Sequence, residues 1–156
     1  RSLTFRMRPP ILDTAGIEIT LQWLCSSISQ DYGLKVNFIN DGHSGQLPAE
    51  IRYSLYQAIR ELLLNVAKHA KTETAELRVK SSGSTIEVKV IDNGIGFDNT
   101  VGSLKHMNNG GYGLYNVKQR IERLNGSVVI DSSPGRGAVI TVTAPFRGRE
   151  AGAEPV

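Results

Sequence analysis

Apolar residues recur along this chain at two periods, and the switches between them divide it into elements. Ile17, Leu21, Leu24 and Ile28 follow helical spacing after Pro9-Pro10, and Gly33 supplies a stop. "LKVNFIN" alternates as a short strand, and "DGHSGQLP" reads as a loop. Pro48 suits a first helical turn, and Ile51, Leu55, Ile59, Leu62, Val66 and Ala70 then form one apolar stripe that predicts a long helix. "AELRVK" and "TIEVKVI", joined by Ser81-Ser82-Gly83-Ser84, predict a hairpin. Residues 97–111 are polar, rich in glycine and asparagine, and without a period. Leu114, Val117, Ile121 and Leu124 mark a second amphipathic helix ending at Gly126, and "SVVIDSSPGRGAVITVTAPF" predicts a closing hairpin around Pro134-Gly135. Helices and mostly antiparallel strands together imply an α+β fold: a two-layer α/β sandwich whose mixed, mainly antiparallel sheet is covered by helices on one face. The expected organisation is an N-terminal helical segment over residues 1–33 packed on the core, a main domain over 34–146 and a flexible tail over 147–156.

Composition narrows the function classes without choosing one. At 156 residues the chain supports one domain with a full-sized core. Its 18 basic and 15 acidic side chains are scattered, with no block of like charge, which argues against a dedicated nucleic-acid surface and leaves room for a small polyanion. No apolar run approaches the roughly 20 residues that cross a bilayer, and no signal-peptide pattern opens the chain. The expectation is a domain without membrane contact, in a reducing, cytoplasmic setting. The start "RSLTF" lacks an initiator Met and reads as a piece of a longer protein. Cys25, the single cysteine, lies among Trp23, Leu24 and Ile28 and is expected to be a buried structural thiol.

Three stretches carry candidate chemistry. "VIDNGIGFD" contains Asn-Gly, a strong hairpin signal, yet no alternating strand follows it. It therefore reads as a strand ending in Asp92, with Gly94 and Gly96 letting a planar ligand approach the main chain while the carboxylate accepts a bond from an exocyclic amine. In "ELLLNVAKHA", Glu61, Asn65 and Lys68 fall on one helical face beside the apolar stripe. That face is either merely solvated or a base, an Mg²⁺ ligand and a phosphate contact, since Mg²⁺ takes only one or two protein oxygens in nucleotide sites. In "NGGYGLYNVKQR", Gly110, Gly111 and Gly113 precede a predicted helix whose free N–H groups suit an anion, although such loops are often linkers. Lys118 and Arg120 follow within two turns. The phosphate-loop pattern GxxxxGK[ST] is absent, and no GxGxxG follows a first strand. His43, His69 and His106 match no metal-binding spacing.

Taken together, Glu61-x-x-x-Asn65, then Asp92-x-Gly94-x-Gly96, then Gly111-x-Gly113-Leu114 resemble the N box and the two glycine boxes of the GHKL ATPase superfamily, which includes sensor histidine kinases, DNA gyrase B, mismatch-repair ATPases and heat-shock chaperones. "ELLLNVAKHA" and "IDNGIGFD" are most similar to the histidine-kinase branch, and "MRPPILDTAGIEITLQWL" is similar to the segment ahead of the core in nitrate-sensor-type kinases. The resemblance implies a Bergerat-type ATP-binding fold with ATP and Mg²⁺ as cofactors. It implies that Asp92 holds the adenine amine, that Gly94 and Gly96 shape the base pocket, and that Asn65 coordinates Mg²⁺ beside Glu61 as base. It further implies that Gly111 and Gly113 hinge the lid and that Leu114 belongs to the same nucleotide-binding box, with Lys68 and Lys118 as phosphate contacts and residues 98–110 as a lid. Two departures stand out: no distinct phenylalanine box, although Phe97 follows the first glycine box, and Ala138 where relatives commonly carry Thr. Thr141 is not assigned that role.

The implied function is the catalytic domain of a histidine protein kinase in a two-component system. Its partners would be a dimerisation and phosphoacceptor domain of the same protein and a response regulator. This domain would be a monomer, and the full protein a homodimer. The alternatives are a stand-alone serine kinase of the anti-sigma type and a non-catalytic nucleotide switch.

Overall fold

The computed structural model describes residues 8–100 and 110–146. The middle of the expected lid, residues 101–109 with His106, and the expected tail, residues 147–156, lie outside them. The elements run α1 (Ile11–Thr14), α2 (Ile17–Tyr32), β1 (Lys35–Asp41), α3 (Ala49–His69), β2 (Thr74–Ser82), β3 (Thr85–Asp92), α4 (Gly110–Glu122), β4 (Ser127–Ser132) and β5 (Ala138–Pro145). The five strands form one sheet in the order β1-β2-β3-β5-β4. β1 and β2 are parallel and every other pair is antiparallel.

Period-two alternation gives the sheet one buried face. Val90 stands opposite Leu77 on one side and Ile140 on the other, and Val88 opposite Val79 and Val142. All six are buried. α2, α3 and α4 cover that face, contributing Leu21 and Leu24, then Leu55, Ile59 and Leu62, then Val117 and Ile121 to the same core. Leu12 and Ile17 bring α1 and the start of α2 into it as well. The architecture is the expected two-layer α+β sandwich.

Local signals bound α2 and α3 where the sequence places them. Gly33 caps α2 in the left-handed region at φ 76°, and the Pro48 carbonyl accepts the Arg52 N–H as α3 begins. Two local expectations fail. α4 ends at Glu122, short of Gly126, and Asn125 takes the left-handed conformation in the turn that follows, at φ 65°. Gly110, Gly111 and Gly113 do not precede the second helix; α4 starts at Gly110, so all three lie in its first turn. Glycine costs about 1 kcal/mol against alanine inside a helix, so something must require it there.

Candidate functional site

Asp92 ends β3 on the buried face, and the sheet register surrounds it with small side chains. Ala75 stands opposite it on β2, Ala138 on β5, and Ser132 opposite Ala138 on β4. This row leaves the carboxylate at the base of a shallow floor at one end of the sheet. Burial pushes the Asp92 carboxyl above its ordinary range, and the Gly94 N–H, donated to Oδ1 at 2.8 Å, opposes that rise.

The loop after Asp92 is fastened on two sides. Towards α3, the Ile95 N–H donates to the Ala70 carbonyl at 2.9 Å. A Cβ at Gly94 would lie 2.8 Å from the Ala70 Cβ. Towards the β4–β5 turn, the Gly135 N–H donates to the Ile95 carbonyl at 2.6 Å. Gly96 has φ 67°, and a Cβ there would lie 2.9 Å from the Gly137 carbonyl oxygen. The room at both glycines is therefore taken by the chain's own backbone, and they act on a ligand through the shape of the loop.

Ser132 completes the clamp. Its hydroxyl donates to the Gly137 carbonyl at 2.7 Å and accepts the Phe97 N–H at 3.0 Å, while the Asn99 amide donates to the Ile130 carbonyl at 2.7 Å. Sequence reasoning missed both residues, because bonds across some 30 positions of chain leave no local pattern.

The second half of the site lies between α3 and α4. Glu61 and Asn65, one helical turn apart, face Gly113. A Cβ at Gly113 would fall 2.5 Å from Glu61 Oε2 and 3.2 Å from Asn65 Nδ2. This close approach is what requires glycine inside the first turn of α4. Asn65 Nδ2 is buried and has no hydrogen-bond partner among the described residues. Which end of an amide is oxygen is an assignment, so the unpartnered end can equally present an acceptor. An orphaned buried amide costs about 1–3 kcal/mol, and with its oxygen turned to that end it offers a hard donor that fits Mg²⁺. Among the described residues no group of three or more His, Cys, Asp or Glu could hold a metal by itself.

The other predicted residues sit less centrally. Gly111 is in the first turn of α4, and Leu114 is buried in the core. The Lys68 ammonium lies 5.9 Å from the Tyr32 ring centroid, and Lys118 pairs with Glu122 at 3.4 Å. Both ammonium groups are engaged outside the Glu61–Asn65–Gly113 cluster. Ala138 is beside Asp92, so a threonine there would place its hydroxyl at the floor, whereas Thr141 faces the opposite side of the sheet between Lys89 and Val129. His43 is exposed, with Nδ1 3.9 Å from the Glu18 carboxylate, and His69 is half-buried at the end of α3. Cys25 is buried, and burial pushes its thiol up to about 12. Among the described residues no helix is long and apolar enough to cross a membrane.

A strand-end acid at one end and an acid–amide pair at the other suit a ligand that carries a base at one end and chelates a metal at the other. Such a site, on a helix-covered sheet of this order, defines a nucleotide-binding α/β sandwich. Residues 50–148, well over half of the chain, match the histidine kinase-, DNA gyrase B- and HSP90-like ATPases, and the chain belongs to that family. ATP is the nucleotide that this family binds.

The oxygen sensor histidine kinase NreB of Staphylococcus carnosus is 29% identical over 149 residues, which are 94% of this chain and 41% of NreB. The signal transduction histidine-protein kinase/phosphatase DegS of Brevibacillus brevis is 28% identical over 150 residues, 96% of this chain and 38% of DegS. The chain thus spans about two fifths of these curated relatives. Among solved structures, the histidine kinase domain of a blue-light-activated kinase from Erythrobacter litoralis superposes with a TM-score of 0.70 at 22% identity. That match covers 86% of this chain and 63% of that one. Full-length ShkA in complex with AMPPNP gives 0.69 at 20% identity, covering 83% of this chain and 30% of that one. Both share the fold.

Proposed function

We propose that this chain is the ATP-binding catalytic domain of a two-component sensor histidine kinase of the nitrate-sensor type. It passes the γ-phosphoryl group of ATP to a histidine on a dimerisation domain of the same protein, from which a response regulator receives it. The observation that carries this reading is the Glu61–Asn65 pair, closed in by Gly113, with one end of a buried amide left without a partner. The names of the two curated relatives, both histidine kinases, support it.

Asp92 accepts the adenine amine, and the clamped loop sets the plane of the base. Asn65 would hold Mg²⁺, which when bound would neutralise charge on the phosphates. In the transfer, the acceptor imidazole nitrogen forms an N–P bond as the bond from the γ-phosphorus to the bridging oxygen breaks. The bond's electron pair leaves on ADP, and the proton on the other ring nitrogen passes to a base, the role assigned to Glu61. The protein supplies position and charge rather than covalent chemistry.

The test compares this chain with the longer protein carrying the preceding helices, each incubated with labelled ATP and Mg²⁺. Residues 1–156 should bind ATP without gaining acid-labile phosphate, the longer protein should gain it, and Glu61→Gln should slow that gain while sparing ATP affinity. Stoichiometric phosphohistidine on residues 1–156 alone would overturn the proposal.

A further inference from the structure

A cavity of about 270 Å³ opens between α3 and α4, lined by Gln57, Glu61, Gly113, Asn116, Val117 and Arg120. Glu61 belongs to both this cleft and the cluster with Asn65 and Gly113. The order of groups along α3 fixes where the cleft lies relative to a nucleotide. The adenine floor is tied to Ala70 at the C-terminal end of α3. Asn65 comes next, about 7.5 Å from Ala70 at 1.5 Å per residue, then Glu61 at about 14 Å, and Gln57 is one turn beyond. A nucleotide stretched from Asp92 past Asn65 therefore ends with its terminal phosphate at the mouth of the cleft.

In-line displacement brings the nucleophile in from the side opposite the leaving ADP. ADP lies towards Asp92, so the nucleophile must come from the Gln57 end. The cleft, at about 270 Å³, has room for one side chain there. Arg120 is the only cation among its lining residues. Arg120 also has no hydrogen-bond or ion-pair partner among the described residues. Resting on the kinase reading above, we infer that this cleft is the acceptor subsite. Its α4 wall, through Arg120, holds the histidine-bearing segment in line and takes no part in holding ATP.

The experiment uses the longer protein, with ATP affinity, melting temperature and the transfer rate at saturating ATP measured for each variant. Arg120→Ala should leave affinity and melting temperature unchanged and lower the saturated transfer rate about tenfold, a loss confined to the transfer step. Arg120→Lys should recover part of that loss. Asn116→Trp, at an exposed position of the cleft wall, should block the cleft and abolish transfer while ATP still binds. Wild-type transfer rates in Arg120→Ala and Asn116→Trp would overturn the cleft assignment alone, as would ATP affinity falling in step with the rate. Absence of phosphohistidine in the wild-type longer protein would instead sink the kinase reading, and this inference with it.

Discussion

Asp92, the proposed adenine contact, carries a burial cost that the fold must absorb. Its carboxyl is buried and titrates above its ordinary value of 3.8, so the folded chain holds that proton more tightly than the unfolded chain. Stability is therefore lost as pH rises from the unfolded value through the raised folded one, and the loss is complete above both. Asp92→Asn keeps an oxygen for the Gly94 N–H and removes the charge. The variant should melt higher than wild type at pH 7, with the two curves converging towards pH 4; parallel curves across that range would contradict the burial argument. ATP affinity should fall by about 1–3 kcal/mol, the scale of a hydrogen bond to a charged group. Preference for ATP over GTP, whose six-position is an acceptor, should shrink with it.

Two glycines of similar sequence appearance behave differently as parts of elements. A Cβ at Gly113 meets the far end of the Glu61 side chain, which can rotate away. Gly113→Ala should keep or slightly raise helix stability, since alanine is favoured by about 1 kcal/mol, yet displace Glu61 and impair transfer. At Gly96 the obstacles are the Ser133 and Gly137 backbone, and φ is positive, so Gly96→Ala should destabilise the domain by about 1–3 kcal/mol. Denaturant melts of both variants separate the cases, and equal losses would refute the distinction. Element boundaries were legible because the strands alternate from Ala75 to Ile91 and the α3 stripe runs unbroken from Ile51 to Ala70. The insertion of β5 between β3 and β4 was not legible, since Ile140 and Val142 would suit either neighbour. Of the site, Asp92, Glu61 and Asn65 stood out by residue type and spacing. Ser132, Asn99, Gln57 and Arg120 gain meaning only once α3, α4 and the β4–β5 turn are brought together.

At the scale of the whole molecule, one core joins α1 and α2 to the sheet and makes Cys25 a reporter of global unfolding. Buried, with its thiol pushed up to about 12, it should resist disulfide reagents at pH 8 in the native protein and react at once in urea. Rapid labelling of the native protein would mean that α2 detaches readily. α3 crosses the molecule as one unbroken helix, with the Ala70 carbonyl at its end holding the floor loop and Glu61 and Asn65 on its side. On the reading proposed above, a single helix sets the spacing of the two ends of the site, and the pocket would act as a ruler for the length of its occupant. A diphosphate held at the same floor stops short of the mark, so the chemistry itself shortens the ligand and loosens its grip. With Mg²⁺ present, Asn65→Ala should then cost ATP more affinity than ADP, and equal losses for the two nucleotides would show that no such measurement takes place. On that account the proposed kinase would need no separate signal to release its product: losing one phosphoryl group would be the signal.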